Sequence, residues 1–148
     1  MGTHYILIDY ENVQPEDLAP LEAHPVKVYV FLGEQQTRLP FDLVSSLQAL
    51  GDRATYVPIN GNGRNALDFH IAYYIGRLSE QDPEGRFHII SRDRGFDPLV
   101  AHLRSKGIHA RRGNGLAELP FLGAEVASST EERISEIVRN LHSRGLSR

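Results

Sequence analysis

The sequence predicts a doubly wound α/β domain, a parallel sheet with helices on both faces. Three observations carry this. Short apolar runs alternate with segments of helical periodicity along most of the chain. The runs, such as VKVYVFLG and RFHIIS, are nearly continuous and lack the polar alternation of a half-solvated antiparallel sheet. Carboxylates recur just past the ends of the runs or in the first turn of a following helix, so they belong to one edge of the sheet.

The elements follow in order. YILID (5–9) is an apolar run ending in a carboxylate, and Pro15 opens a short helix through about Glu22. VKVYVFLG (26–33) is the second strand. FDLVSSLQAL (41–50) sets Phe41, Val44, Leu47 and Leu50 at helical spacing, with Gly51 as its C-cap. ATYVPI (54–59) is the third strand, weakened at its end by Pro58. A longer helix runs from Ala66 to about Ser79. Leu67, Ile71, Tyr74 and Leu78 form its apolar stripe, and Ala72 with Gly76 offers a narrow flank for close packing. RFHIIS (86–91) is the fourth strand. Asp97-Pro98 opens a helix that stops at Lys106-Gly107, and IHARR (108–112) is a short fifth strand. The segment 113–129 reads as loop. Ser129 and Glu132 then form a capping box for a C-terminal helix with the stripe Ile134, Ile137, Val138 and Leu141. The expected division is a domain over 1–127 and a C-terminal helix over 128–148. A lone helix of that length is marginal in water, so its stripe needs a cover. The candidates are the domain's own helices, a homo-oligomer interface, or a further domain.

Composition limits the chemistry. The chain has 148 residues and no cysteine, which excludes disulfides, zinc–thiolate sites and thiol catalysis. No apolar run approaches the length of a membrane span, and no signal-peptide core stands at the N-terminus, so a cytoplasmic protein without membrane attachment is expected. The net charge of −3 is unevenly spread. Residues 1–25 hold Asp9, Glu11, Glu16, Asp17 and Glu22 with no Lys or Arg. Residues 86–112 hold Arg86, Arg92, Arg94, Arg104, Lys106, Arg111 and Arg112 against Asp93 and Asp97. An acidic site beside a basic rim suits a phosphate-bearing substrate and its metal.

Asp9 ends the first strand, Asp93 follows the fourth, Asp68 lies in the first turn of the third-strand helix, and Asp97 caps the helix after the fourth strand. In the common doubly wound strand order the first and fourth strands are neighbours, and ligands bind beyond the carboxyl ends of the strands. Four carboxylates there repel one another unless a cation neutralises them. Oxygen-only ligation selects Mg²⁺ or Mn²⁺, which would lower the pKa of a water for attack on a phosphodiester. Arg64, Arg92 and Arg94 would meet the phosphates. Each acid also has a plainer role. Asp97 suits a helix N-cap, Asp68 complements a helix dipole, and Asp9 and Asp93 are turn formers. Asn12 would cap the short first helix or orient Asp9, and Glu11 would point to the other side of the turn into solvent.

Other phosphate-handling patterns fit poorly. GNGRNA (61–66) matches G-x-G-x-x-A, but it follows the third strand, and Asp68 would face a pyrophosphate with like charge. Asp9-Tyr10-Glu11 lacks the Asp-x-Asp of a haloacid-dehalogenase-type enzyme, and Pro58-Ile59-Asn60 lacks the acceptor of a receiver domain. The seven histidines form no helical metal pair, and His70 and His88 read as packed or surface residues. A small-molecule phosphatase would need a lid, which nothing marks.

The segments LIDYENV (7–13), NALDFHIAYYIG (65–76) and IISRDRGFDPLV (89–100) together resemble the PIN-like nuclease superfamily, near its NYN branch. The resemblance implies a Rossmann-like sheet and metal-dependent cleavage of RNA by clustered acids. It matches Asp9 and Asn12 to the first motif, Asp68 to the central helix acid, and Ser91, Asp93 and Phe96 to the third motif. Gly95 departs from that motif, which usually has a second Asp there; Asp97 is the candidate replacement. The resulting expectation is an endoribonuclease with metal ligands Asp9, Asp68, Asp93 and Asp97, positioned by Asn12 and Ser91. The alternative is a non-catalytic RNA-binding or scaffolding module on the same fold.

Overall fold

The computed structural model describes residues 2–15, 18–61, 63 and 65–121, in two compact units, Met1–Gly115 and Leu116–Arg148. Arg64 and the C-terminal stripe from Ile134 to Leu141 lie outside the described residues. So does the expected boundary at 127. Of the second unit, the description covers a 3₁₀ turn at Leu116–Glu118.

The first unit is a five-stranded parallel sheet: β1 (His4–Asp9), β2 (Val26–Leu32), β3 (Ala54–Pro58), β4 (Arg86–Ile90) and β5 (His109–Gly113), in the order β3-β2-β1-β4-β5. The expected parallel α/β architecture is present, with β1 beside β4. The helices are α1 (Phe41–Leu50), α2 (Ala66–Gln81) and α3 (Asp97–Ser105). The chain winds outward through β2 and β3, returns by way of α2 to β4, and continues to β5. The reversal falls between β1 and β4, which makes their carboxyl ends the switch point.

Strand alternation sorts the core. Tyr5 and Leu7 of β1, Phe31 of β2, Val57 of β3 and Phe87 and Ile89 of β4 join one buried cluster with α2 and α3. The intervening residues Ile6, Ile8, Val28 and Val30 are equally buried. By alternation they face the other side of the sheet, the side that leaves α1 and its buried Leu43, Leu47 and Leu50 to cover.

Several local expectations are corrected. The first helix is a 3₁₀ turn at Ala19–Ala23, with Pro at its start. In α1 the buried stripe is Leu43, Leu47 and Leu50, while Phe41 is 82% exposed at the first helical position. Two stripes at helical spacing share Leu47 and Leu50, and the sheet takes the one that points inward. In α2, Ile75 is fully buried and Tyr74 half-buried. Gly76 is exposed, and a side chain there would meet nothing within 4 Å, so the narrow flank is not packed. Asp97 is the first residue of α3, preceded by Phe96 as its N-cap, and no side chain caps that end. Among the described residues no helix is long and apolar enough to cross a membrane.

His88 is buried on the same side of β4 as Ile90, and its Nε2 lies 2.8 Å from His4 Nδ1 with the rings stacked. Burial above all, then the neighbouring His4, Arg111 and Arg86, push its pKa down from 6.5 to about 3. Burial and Arg86 also lower His4. A histidine held neutral in the fold but free to protonate when unfolded stabilises the protein fully above pH 6.5. That contribution drains away as pH falls from 6.5 towards 3. His88→Gln keeps a hydrogen-bonding group without the titration. Denaturant melts between pH 7 and 4 should therefore show a shallower acid loss for the variant, by up to about 1.4 kcal/mol per pH unit. Equal slopes would place the acid sensitivity elsewhere.

Candidate functional site

Asp9 is the last residue of β1, and alternation sends its side chain to the same face as Tyr5 and Leu7, towards α2 and α3. The pairing of Leu7 with Ile89 carries on to bring Asp9 beside Ser91. The Ser91 hydroxyl donates to Asp9 Oδ2 at 2.8 Å, and the Asp93 backbone N–H donates to Ser91 Oγ at 3.1 Å. Asp9 and Ser91 are both buried. The backbone N–H groups of Asn12 and Val13 donate to the Asp9 carbonyl, closing a tight turn. That turn directs Asn12 across the gap, where its Oδ1 accepts from the Arg92 N–H at 2.6 Å. Asn12 thus ties the β1 turn to the loop after β4. It does not cap the first turn of helix.

Burial is the main reason the Asp9 carboxyl titrates high, at about 6 against an ordinary 3.8. The Ser91 hydroxyl and the Asn12 backbone N–H pull it down, while the charges of Asp68 and Glu11 push it up. Asp68, in the first turn of α2, is half-buried, and its pKa is raised by burial, then by Asp93 and Glu11. Glu11 therefore belongs with these acids, contrary to the expectation that it faces away. Its carboxylate lies over Gly33, just past β2, where a Cβ would come within 1.9 Å of Glu11 Oε1. The signal in the sequence was Gly33 itself, the absence of a side chain beside the end of β1.

The start of α2 is fixed by His70. Its Nε2 accepts from the Asn60 N–H at 3.2 Å, which leaves Nδ1–H to donate to the Ala66 carbonyl at 2.6 Å. The histidine read as packed or superficial pins the glycine-containing loop to the helix that carries Asp68.

Asp93 folds back on its own loop, its Oδ1 accepting from the Gly95 N–H at 2.8 Å. A Cβ at position 95 would stand 2.9 Å from that oxygen, so glycine permits the close turn. Asp97 is held elsewhere. Arg112 Nε donates to Asp97 Oδ1 at 2.8 Å, and Arg112 Nη1 donates to the Ser91 carbonyl and to Asn114 Oδ1, each at 2.9 Å. Asp68 and Asp93 line one cleft of about 480 Å³ with Asn65, Phe69, Phe96 and Leu99. Asp97 lines another of about 470 Å³ with Arg104, Arg111 and Arg112. Arg92 and Arg94 flank Asp93 and are exposed.

Among the described residues no three His, Cys, Asp or Glu side chains are grouped closely enough to hold an ion as they stand. Three of the acids have partners of their own: Ser91 for Asp9, the Gly95 N–H for Asp93, Arg112 for Asp97. In charge and donor type the set of Asp9, Asp68, Asp93 and Glu11 nonetheless fits a hard divalent cation, because a cation would stabilise carboxylates that burial and, to a lesser degree, their mutual repulsion hold high.

A family model described as a PIN domain matches residues 3–113, the whole sheet with its helices. No curated protein and no solved structure matches the chain.

Asp9 provides a test in the metal-free protein. Its folded pKa lies above the unfolded one, so the fold holds a proton the unfolded chain has lost between pH 4 and 6. Stability from this group falls as pH rises through that window and stays low above 6. Asp9→Asn, still able to accept from Ser91, should raise stability in EDTA at pH 7.5 by about 1–3 kcal/mol. The gain should vanish near pH 4. A variant less stable than the parent at pH 7.5 would mean that the carboxylate is favourably paired.

Proposed function

The chain belongs to the PIN-domain family, a nuclease fold, and on that premise we propose that it is a metal-dependent endoribonuclease. The observation that carries this is the placement of the acids at the switch point: Asp9 ends β1, Asp68 lies in the first turn of α2, and Asp93 follows β4 and lines one cleft with Asp68. Carboxylates gathered at the ligand-binding edge of a parallel sheet suit a hard cation.

In this reading Asp9, Asp68 and Asp93 hold Mg²⁺ or Mn²⁺, with Glu11 beside them. When bound, such an ion supplies positive charge for a phosphate oxygen and lowers the pKa of a water molecule. The chain's own groups do the positioning. Ser91 fixes the Asp9 carboxylate through its hydroxyl and is itself held by the Asp93 N–H. Asn12 locks the two loops that carry these acids. Arg92 and Arg94 flank Asp93 and meet the backbone phosphates, as Arg64 does in the sequence reading. Asp97 orients Arg112, which braces the Ser91 carbonyl, and is a positioning residue. The substrate is RNA, and the expected setting is the cytoplasm.

The separate partners of the acids, and Gly95 where a further acid would stand, favour a second reading: an RNA-binding module on the same fold that has lost turnover. Calorimetry with Mn²⁺ separates the two, because only the nuclease needs the ion.

The direct assay is cleavage of a mixed RNA pool with Mn²⁺, Mg²⁺ or EDTA. Cleavage should require the divalent ion. It should fall about 100-fold or more in Asp68→Asn and Asp93→Asn, matching the several kcal/mol that such charge stabilisation is worth. Asp97→Asn, which weakens only the hold on Arg112, should lose less than about tenfold. Full activity in the Asp68 and Asp93 variants would remove the mechanism.

Replacing Arg92 and Arg94 together by Ala should weaken RNA binding and lower the slope of affinity against salt, by roughly one counterion per lost contact. An unchanged slope would make them partners of the loop acids instead of phosphate ligands.

A further inference from the structure

An amphipathic helix on a sheet turns its apolar side inward, and α2 does so with Leu67, Ile71, Ile75 and Leu78. It breaks the rule on the outside. Phe69 is 71% exposed and Tyr73 61% exposed. Single exposed hydrophobic residues are ordinary, but these two are four residues apart and share a face. Their Cα atoms are about 6 Å apart along the helix axis. Arg77, one further turn along, extends the row and is exposed. No side chain at Gly76 crowds it.

The rings are also placed for use. Tyr73 stands edge-on to Tyr74, with centroids 5.5 Å apart and planes at 88°. Tyr74 is packed in turn against Tyr29 and Phe31 of β2. The Tyr73 ring is therefore braced by its edge. Phe69 follows Asp68 in sequence and lines the same cleft as Asp68 and Asp93.

We propose that the outer face of α2 is a track for unpaired RNA, with Phe69 and Tyr73 stacking on two bases and Arg77 meeting the backbone. The strand is thereby led to the acids at the N-terminal end of the helix. This rests on the nuclease reading and adds to it a binding surface on α2, one that takes unpaired bases with little sequence preference because every base has a stackable face. A base-paired duplex hides those faces. Two aromatic side chains offer about 300–500 Å² at most. A stable protein interface needs about 800 Å² on each partner. The patch is small for a second copy of the chain and ample for two bases.

The chain contains no tryptophan, so Phe69→Trp introduces a single reporter. The experiment titrates the full-length protein with a 12-nucleotide uridine oligomer and with a 12-base-pair RNA duplex, in EDTA so that nothing is cleaved. The tryptophan emission should be quenched by the single strand and little changed by the duplex. Phe69→Ala and Tyr73→Ala should each weaken single-strand binding by about fivefold or more. Phe69→Leu, which keeps apolar area without a ring, should lose as much as Phe69→Ala. Because both side chains are exposed, melting temperatures should not move.

Unchanged single-strand affinity in both alanine variants would overturn the track. If the parent protein still cleaves RNA with Mn²⁺, the nuclease reading stands without it. A parent that neither binds nor cleaves RNA would remove the nuclease reading and the track together. Lower sedimentation mass in Phe69→Ala with intact RNA affinity would make this face a protein interface and overturn the proposal.

Discussion

The register of β1 against β4 governs the carboxyl edge of the sheet. Leu7 opposite Ile89 puts Asp9 level with Ser91 on one face, and the hydroxyl of Ser91 can then satisfy a buried carboxylate. A slip of one residue in β1 would turn Asp9 towards the other face, away from Asp68 and from the hydroxyl of Ser91. The same parity extends outward. Phe31 on β2 and Arg112 on β5 fall on this face, the first under α2 and the second within reach of Asp97 on α3. One ladder of backbone hydrogen bonds thus places groups from four separate segments.

Two buried titrating groups sit on opposite faces of this ladder and work against each other. Asp9 favours the protonated state in the fold and disfavours high pH, whereas His88 favours the neutral state and disfavours low pH. Between pH 4 and 6 their contributions to stability have opposite slopes and partly cancel.

Much of this was legible in the chain. Buried parallel strands are contiguous apolar runs, so the ends of YILID and RFHIIS, and the acids that follow them, could be seen without a partner strand. The strand order then followed from the usual winding. What could not be seen depended on contacts distant in sequence. Glu11 joins the acids because Gly33 leaves room beside it, and the two are brought together only by the pairing of β1 with β2. Asp97 is paired with Arg112, which arrives from β5. Phe41 satisfied the helical period as well as Leu43 did, and only the sheet's position decided between them. Gly76 read as a packing site, yet it lies on the side of α2 that nothing in the core touches.

The strand order leaves β3 and β5 at the two margins of the sheet. A margin strand offers unsatisfied backbone groups to any extended chain that drifts past, and this is a route to runaway association. Both margins here discourage it. β3 is short and ends at Pro58, which has no N–H to offer a newcomer. β5 is short and carries the exposed Arg111, so an incoming strand would have to approach past a charged side chain. Among the described residues, a proline at one margin and an exposed arginine at the other thus weigh against a sixth strand from another molecule.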